Sequence, residues 1–429
     1  MNASYKPSRF NIFAKTSSGG DVVANTFSQS VSVLEKDEAE ALSNIEAKGA
    51  GSMTEGLEAA GLIVSSDIDE LDLIRKGLDC AKRDPSHATV TVLTTLDCNF
   101  NCPYCFQERS RGLMETRVQN LVIQHLSEVV AQLRPKEGHE EPPELGLCFT
   151  GGEPLLAPVA IKRIALAARE LCEACDVRLR TSMITNGYLL NPEMASLLEA
   201  LSPSWNIQVT LDGPKETHDA RRFLRGGDAT YDRIVENVLA LSPDVFTVKL
   251  RVNVDKTNAD AAQEAFSWAD ELANVVPYVA PVTIEETQSA DIKCTCYPPS
   301  EWKGFYQHMR SRGLVSTTIE GMLERGSVCS ALHGLSCCID PEGYLYKCFD
   351  KCGQREWAYA KLGDPKAANP IRSQMFLGRN AACEQECRDC KYLPQCLGGC
   401  PLAWLEKKVH YCAPAKYLLQ SELEGAAPD

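Results

Sequence analysis

The stretch Thr94–Gln107 reads TTLDCNFNCPYCFQ and places three cysteines, Cys98, Cys102 and Cys105, within eight residues. An apolar run rich in β-branched residues leads into it. A structural zinc site needs four protein ligands and a disulfide needs two thiols. Three thiols at this spacing therefore predict a metal centre that keeps one coordination position open.

The composition predicts a soluble protein of two or three domains. The chain has 429 residues, of which 44% are hydrophobic and 24% are charged. It contains no apolar run of the ~20 residues that a membrane span needs, and its N-terminus lacks the pattern of a signal peptide. We therefore expect a cytoplasmic protein without a membrane partner. The net charge of −14 argues against a nucleic-acid partner, because phosphate binding requires a basic surface.

Cysteine content is the most unusual feature of the composition. The chain has 20 cysteines, and eleven of them lie between Cys329 and Cys412. Disulfides are rare in a reducing compartment, so clustered thiols there indicate metal or redox chemistry.

Strands alternate with helices in the middle of the chain. Apolar patterns predict strands at 88–96, 144–150, 177–185, 205–211, 246–254 and 277–284. Helical patterns lie between them at 116–134, 158–174, 192–201, 229–241 and 258–273. This alternation predicts a parallel sheet, either open and doubly wound or part of a barrel. The cysteine loop follows the first strand, and active sites of such folds lie at that end of the strands.

The loop resembles the C-x3-C-x-aromatic-C motif of the radical S-adenosylmethionine (radical SAM) superfamily, with Tyr104 as the aromatic residue. A zinc knuckle that lacks one ligand is the alternative. Three later segments support the resemblance: GLCFTGGEPLL after the second strand, ITNGYLL after the third and VTLDGPKETHDARR after the fourth.

The resemblance implies a [4Fe–4S] cluster on Cys98, Cys102 and Cys105, which cleaves SAM to a 5′-deoxyadenosyl radical. It also implies a set of SAM-binding residues: Tyr104, Gly151, Gly152, Glu153, Pro154, Asn186, Thr210 and Arg222. We expect the two glycines to let the backbone approach the ligand closely. We expect Arg222, rather than Arg221, to bind the SAM carboxylate, because a guanidinium matches a carboxylate in shape and charge.

The cysteine-rich end resembles the SPASM extension of peptide-modifying radical SAM enzymes. Its pattern is Cys329, then Gly343 and Cys348, then C-x2-C-x5-C-x3-C at 387–400 and a last cysteine at 412. The resemblance implies an outer cluster on Cys387, Cys390, Cys396 and Cys412. It implies an inner cluster on Cys329, Cys348 and Cys400, with Cys338 as the fourth ligand. Cys337, Cys294, Cys296 or an open iron are alternatives for that position, and a structural zinc domain is the alternative for the whole segment.

Asp350 is the candidate catalytic base. In sulfatase maturases an aspartate directly follows the cysteine that matches Cys348, whereas here Phe349 intervenes. On a strand, a shift of one residue reverses the direction of the side chain, which argues against sulfatase maturation, although Asp350 could still reach a substrate from a loop.

Together these features predict an α/β fold with three consecutive parts. Residues 1–85 resemble a winged-helix leader-recognition module, with a stabilising cap as the alternative. Residues 86–285 are expected to form a partial (β/α)6 barrel similar to a TIM barrel, and residues 286–429 the SPASM domain.

The expected function is that of a radical SAM maturase with three [4Fe–4S] clusters. It would bind a ribosomally made precursor peptide through its leader and form a thioether crosslink, with flavodoxin or ferredoxin as electron donor. The alternatives are carbon–carbon crosslinking, maturation of a protein such as a sulfatase or a quinone enzyme, and a non-enzymatic iron–sulfur electron-transfer protein.

Overall fold

The computed structural model describes residues 4–16, 19–48, 53–136, 138–269, 272–283, 295–315 and 318–425. Strands β1 to β14 are Tyr5–Pro7, Asn11–Lys15, Asp21–Asn25, Ser30–Leu34, Ile63–Ser65, His87–Thr95, Glu144–Gly151, Arg178–Thr185, Trp205–Thr210, Phe246–Val254, Val275–Pro281, Cys337–Ile339, Tyr344–Tyr346 and Ala360–Lys361. Helices α1 to α15 are Lys36–Lys48, Thr54–Ala59, Glu70–Ala81, Thr116–Val130, Pro158–Ala174, Pro192–Leu201, Lys215–Arg221, Tyr231–Leu239, Trp302–Ser311, Ile319–Leu323, Pro370–Leu377, Gln385–Arg388, Leu393–Cys396, Pro401–Lys407 and Ala415–Gly425. Short 3-10 helices lie at Pro154–Leu156, Ala262–Ala265, Pro299–Glu301, Ser330–Leu332, Phe349–Lys351, Arg355–Trp357, Pro365–Ala367 and Ala381–Cys383.

The chain divides into two compact units. The first unit contains Met1–Lys82, Pro299–Cys329 and Arg379–Asp429, and the second contains Arg83–Pro298 and Ser330–Gly378. These units do not coincide with the expected parts 1–85, 86–285 and 286–429, because the last of these contributes to both units. The division into three functional domains stays a prediction.

The first unit contains a three-stranded antiparallel sheet, in the order β2-β3-β4, and a small pair formed by β1 and β5. Gly19, between β2 and β3, has a positive φ of 87°, which glycine adopts readily. One core cluster joins this sheet to the first two helices and β5: Val23, Leu34, Leu42, Ile45, Leu57, Leu62 and Ile63. Helix α15 packs against β2 and β3. The sheet and helices of the expected N-terminal module are therefore present, while the winged-helix assignment stays a prediction.

The second unit contains a nine-stranded sheet in the order β11-β10-β9-β8-β7-β6-β12-β13-β14. Strands β6 to β11 are parallel, and their spatial order follows their order in the chain. The order shows no reversal, which a doubly wound sheet would require, so the parallel part is wound in one direction as in a barrel. Strand β12 adds to β6 in parallel and continues into the antiparallel strands β13 and β14.

The six predicted strands of the parallel sheet are confirmed, and α4, α5, α6 and α8 lie at the predicted helical stretches. The helix predicted at 258–273 is wrong, because the described residues there form turns and a 3-10 helix at Ala262–Ala265. Side chains at the start of this segment bind the backbone instead. The backbone N–H of Asp255 donates to Asn258 Oδ1 at 2.8 Å, and that of Thr257 donates to Asp255 Oδ1 at 2.8 Å. Such side-chain bonds favour turns over a helix.

Within the described residues, no helix is both long and apolar enough to cross a membrane.

Candidate active site

The three-cysteine loop follows β6 and opens into a cavity of about 390 Å3. Cys98, Cys102 and Cys105 all line this cavity. Hydrogen bonds fix the start of the loop: the backbone N–H of Asp97 donates to Thr95 Oγ1 at 3.0 Å, and that of Cys98 donates to Asp97 Oδ1 at 2.9 Å. Burial raises the pKa of Cys98 to about 12 and also raises the pKa of Cys102. Deprotonation of these thiols is therefore costly, and a bound metal centre would offset that cost because it stabilises thiolates.

The GGEP turn packs directly against this loop. A Cβ atom on Gly151 would lie 2.1 Å from the Thr95 carbonyl oxygen, and one on Gly152 would lie 2.0 Å from the Asp97 carbonyl oxygen. Gly151 also has a positive φ of 130°. The backbone N–H groups of Gly152 and Glu153 donate to these same carbonyls at 3.0 and 2.8 Å. Both glycines line the cavity, but what excludes a side chain is the cysteine loop rather than a ligand.

Glu153 is fully buried and holds the turn in place. Its carboxylate accepts hydrogen bonds from the N–H of Leu155 at 3.0 Å, the hydroxyl of Thr185 at 2.7 Å and the N–H of Asn186 at 2.8 Å. Burial raises its pKa despite these three donors. Neither Glu153 nor Pro154 is among the residues that line the cavity. The turn residues therefore divide into two glycines at the cavity and a carboxylate behind it.

Asn186 joins the end of β8 to the cysteine loop and lines the cavity. Its side-chain amide donates to Asn99 Oδ1 at 2.8 Å and lies 3.8 Å from Cys98 Sγ. Its side-chain oxygen Oδ1 accepts from the backbone N–H of Tyr188 at 3.0 Å. The segment ITNGYLL thus positions a polar group beside the first cysteine.

Two adjacent arginines occupy different environments. Arg221 forms ion pairs with Asp212 at 3.3 Å and Asp255 at 2.9 Å. Arg222 lines the cavity and donates from Nη1 to the hydroxyl of Tyr104 at 2.6 Å. That hydroxyl donates in turn to Asp212. The Nε of Arg222 is buried and has no hydrogen-bond partner among the described residues.

The cavity therefore fits a ligand that carries a carboxylate. A buried guanidinium with an unsatisfied donor is costly, and a carboxylate would satisfy it with a charge-assisted hydrogen bond. Thr210 lines the same cavity, as do Tyr104 and the three thiols.

Asp350 also lines this cavity, together with Phe349. Phe349–Lys351 is a 3-10 helix rather than a strand, so the one-residue shift does not by itself turn Asp350 away from the cavity. The Phe349 ring lies 6.3 Å from that of Phe106, which follows the last cysteine of the loop. The segment after Cys348 therefore reaches the three-cysteine loop.

Several polar cavity residues were missed by sequence reasoning. Gln208 precedes Thr210 by two residues on β9, and Arg251 and Asn253 lie two residues apart on β10. Arg251 is the cross-strand neighbour of Thr210. The two-residue period of a strand could have identified them, once Thr210 was placed at the site.

In the first unit, the four cysteines predicted for the outer cluster line one cavity of about 380 Å3: Cys387, Cys390, Cys396 and Cys412. Glu384, Cys387 and His410 also lie close enough together to share a metal ion. The Glu384 carboxylate already forms an ion pair, however, because Arg379 Nε lies 2.8 Å from its Oε1. The four thiols are thus the better-suited ligand set, and their softness fits an iron–sulfur cluster or zinc.

The cysteines predicted for the inner cluster are divided between the units, with Cys348 in the second and Cys329 and Cys400 in the first. Near Cys348, the thiol of Cys338 is hydrogen-bonded to that of Cys352, a residue that the motif did not include. Cys337, one of the alternatives for the fourth ligand, precedes Cys338 on β12, and its Sγ lies 3.4 Å from His125 Nε2.

Two further candidates for the fourth inner ligand lie elsewhere. Cys296 packs with Tyr104 and Val282 and contacts Cys102 of the three-cysteine loop. Cys294 lies outside the described residues.

Comparison with known proteins identifies one domain of the chain. Residues 92–265 match the radical SAM superfamily. The chain is 26% identical to an AdoMet-dependent heme synthase of Methanosarcina barkeri over 43% of its length, and this match spans only 48% of that enzyme. It is 23% identical to a serine-type anaerobic sulfatase-maturating enzyme of Klebsiella aerogenes, over 71% of this chain and 77% of the enzyme.

Two solved structures share the fold. One is native anSMEcpe with bound AdoMet and Cp18Cys peptide, with a TM-score of 0.56 and 18% identity over 79% of this chain and 95% of that one. The other is Streptococcus suis SuiB bound to precursor peptide SuiA, with a TM-score of 0.50 and 13% identity over 98% of this chain and 100% of that one. Residues 92–265 are therefore a radical SAM domain, which binds S-adenosylmethionine and a [4Fe–4S] cluster, and the relation to sulfatase-maturating enzymes indicates that the chain is an enzyme.

Proposed function

We propose that this enzyme modifies a ribosomally made precursor peptide and forms a thioether crosslink between a cysteine sulfur and a carbon atom. One observation carries the proposal. Phe349 and Asp350, which directly follow the predicted inner-cluster ligand Cys348, line the same cavity as the three-cysteine loop. A substrate in this cavity would therefore lie beside both the SAM site and the segment of an auxiliary cluster.

The residues of the cavity have distinct roles in this proposal. When bound, SAM and the clusters supply a radical that abstracts a hydrogen atom and an acceptor for the electron that thioether formation releases. Arg222 orients the SAM carboxylate through its free Nε. The rings of Phe106 and Phe349 limit the access of water. Asp350 accepts the proton that the substrate thiol loses.

Three [4Fe–4S] clusters are part of the proposal. Cys98, Cys102 and Cys105 hold the first, and the four thiols around the second cavity hold the outer auxiliary cluster. The inner cluster, for which the resemblance implies Cys329, Cys348, Cys400 and Cys338, stays a prediction, and Cys352 packs with Cys338 as a neighbouring thiol. A flavodoxin or ferredoxin supplies electrons.

Strand β4 is the proposed leader-binding edge. It lies at one end of the first unit's sheet and pairs only with β3 among the described residues. Its Val31 and Val33 side chains are 39% and 54% exposed. An open strand edge with exposed apolar side chains can bind an extended peptide as a further strand. SuiB bound to SuiA, which matches 98% of this chain, is a structural relative with a bound precursor peptide.

Maturation of a protein such as a sulfatase is the second candidate. It is favoured by the position of Asp350 in the cavity and by the relation to sulfatase-maturating enzymes. The proposed leader-binding edge of β4 instead favours a precursor peptide as the substrate.

The test uses anaerobically reconstituted enzyme, SAM and dithionite, with short cysteine-bearing peptides encoded beside its gene as substrates. We expect 5′-deoxyadenosine and a peptide that has lost two hydrogens, keeps its sulfur and resists thiol alkylation. A sulfatase-derived peptide in a parallel reaction distinguishes the second candidate, because its maturation replaces the thiol or hydroxyl by an aldehyde.

Variants of the strand edge test the leader site. The double change of Val31 and Val33 to Asp is expected to reduce peptide modification while 5′-deoxyadenosine formation without peptide persists. Val159→Asp is the matched control, because Val159 is 68% exposed on α5 of the second unit. Modification of the sulfatase peptide alone, or equal loss in both variants, would contradict the precursor-peptide proposal.

A further inference from the structure

The cavity of the outer cysteines is surrounded by polar side chains as well as thiols. Lys416 Nζ lies 3.3 Å from Cys412 Sγ, and the Tyr417 hydroxyl is hydrogen-bonded to the same sulfur. On another side, His410 Nδ1 lies 3.5 Å from Cys387 Sγ. Lys416, Tyr417 and His410 all line the cavity with the four cysteines.

These three polar side chains belong to one short segment of the chain. His410 precedes Cys412 by two residues, and Lys416 and Tyr417 lie in the first turn of α15. Lys416 is four residues after Cys412, so its side chain reaches back over the preceding turn. The segment that supplies the last thiol thus also supplies the groups that contact two of the four sulfurs.

Among the charged side chains near this cavity, Lys416 is the cation that contacts a sulfur. The Glu384 carboxylate is neutralised by Arg379, whose side chain is 1% exposed. Glu386 lies 3.3 Å from His410 Nε2, but its side chain is 78% exposed and therefore largely screened by water.

We propose that Lys416, Tyr417 and His410 raise the reduction potential of the outer auxiliary cluster. Reduction adds negative charge to a cluster and its thiolate ligands. Hydrogen bonds and positive charge at the sulfurs stabilise the reduced form more than the oxidised form, which raises the potential. The inference rests on the proposed function, because it requires that the four thiols hold an iron–sulfur cluster.

The test is a redox titration of the full-length reconstituted protein, followed by electron paramagnetic resonance. Cys98, Cys102 and Cys105 are changed to Ala in all samples, so that only signals of the auxiliary clusters remain. Lys416→Met is expected to shift one midpoint potential to a lower value and to leave the other in place. Lys416→Arg keeps the charge and is expected to keep the potential. Lys303→Met, at an exposed lysine of α9 away from the cavity lining, is the matched control.

His410→Gln is a second variant, which keeps every thiol and Lys416 and is expected to shift the same midpoint in the same direction. The inference is wrong if iron content is unchanged in both variants and neither midpoint moves. It is also wrong if both midpoints move equally, since that indicates a general change in the protein. Zinc in place of about four irons would instead contradict the outer cluster of the proposed function itself.

Discussion

At the scale of residues, two neighbouring arginines show how a site separates binding from support. Both are largely buried, with Arg221 as the last residue of α7 and Arg222 directly after it. Arg221 donates to Asp212, Asp255 and the Thr257 hydroxyl, and its Nη2 is buried without a partner among the described residues, but Arg221 does not line the cavity. Arg222 keeps a buried Nε that no described residue satisfies. A buried charge without a full set of partners is expensive, so this arrangement is expected where a ligand completes it.

Substitution of each arginine by lysine should separate these roles. Arg222→Lys is expected to weaken SAM binding by about tenfold to a hundredfold, because it removes a charge-assisted hydrogen bond worth about 1.5–3 kcal/mol. Arg221→Lys should lower the melting temperature, because it disturbs an ion-pair network, and its effect on SAM binding should be smaller than that of Arg222→Lys. Isothermal titration of SAM and thermal unfolding measure the two effects. The opposite result, with SAM binding lost only in Arg221→Lys, would assign the carboxylate to the other arginine.

Single residues were predictable from sequence where chemistry fixes their spacing. The three-cysteine loop needs its thiols close together in the chain, so the pattern itself is informative. Cys352 and Arg251 carry no such pattern, because Cys352 meets Cys338 only after β12 and β13 pair, and Arg251 meets Thr210 only across the sheet. His410 likewise reaches Cys387 across 23 residues of chain.

At the scale of elements, the segments that follow β6 and β7 are joined by backbone hydrogen bonds. The N–H groups of Gly152 and Glu153 bind the carbonyls of Thr95 and Asp97, and the missing Cβ atoms allow this approach. The position of the first cysteine therefore depends on the second strand as well as on the first.

A methyl group at this contact should disturb the site. Gly152→Ala is expected to destabilise the fold by about 1–3 kcal/mol, because a Cβ at 2.0 Å from a carbonyl oxygen forces the backbone apart. SAM cleavage should fall with it. Gly77→Ala in α3 is the control and should stabilise by about 0.5–1 kcal/mol, because nothing lies within 4 Å of its Cβ position. Denaturant unfolding and assay of 5′-deoxyadenosine give both results, and unchanged SAM cleavage in Gly152→Ala would show that the loop is free to move.

Elements with a strong hydrophobic period were predicted well, and elements set by side-chain bonds were not. The apolar pattern of the parallel strands is visible in the sequence, because most of their side chains on one or both faces of the sheet are buried. The segment after β10 has a helical pattern, but Asp255 and Asn258 bind the backbone there and favour turns. The 3-10 helix that carries Asp350 was not predicted for a different reason: a segment of three residues is too short to show a hydrophobic period.

At the scale of the whole molecule, the first unit brings together segments that are far apart in the chain. Phe10, Ile74 and Leu78 from the N-terminal segment pack against Ala381, Ala382, Cys387 and Leu393. The sequence could not reveal this packing, because each segment on its own has an ordinary apolar pattern. One consequence is that the N-terminal segment is part of the support for Cys387, whatever peptide it binds.

Removal of one buried ring should therefore reduce metal binding at a distance along the chain. Phe10 is fully buried, and Phe10→Ala is expected to destabilise the first unit by about 3–5 kcal/mol. Because Phe10 shares a core with Cys387, the variant should lose up to about four irons, the content of one cluster.

Phe13→Ala, three residues away, removes a ring that is 51% exposed and is expected to change stability by less than about 0.5 kcal/mol. Iron content and melting temperature after anaerobic reconstitution compare the two variants. SAM cleavage should persist in both, since every residue that lines the SAM cavity belongs to the second unit. Full iron content in Phe10→Ala would mean that the four thiols keep their positions without this core. In that case the N-terminal segment would serve only the proposed binding of the peptide, and its removal would spare all three proposed clusters.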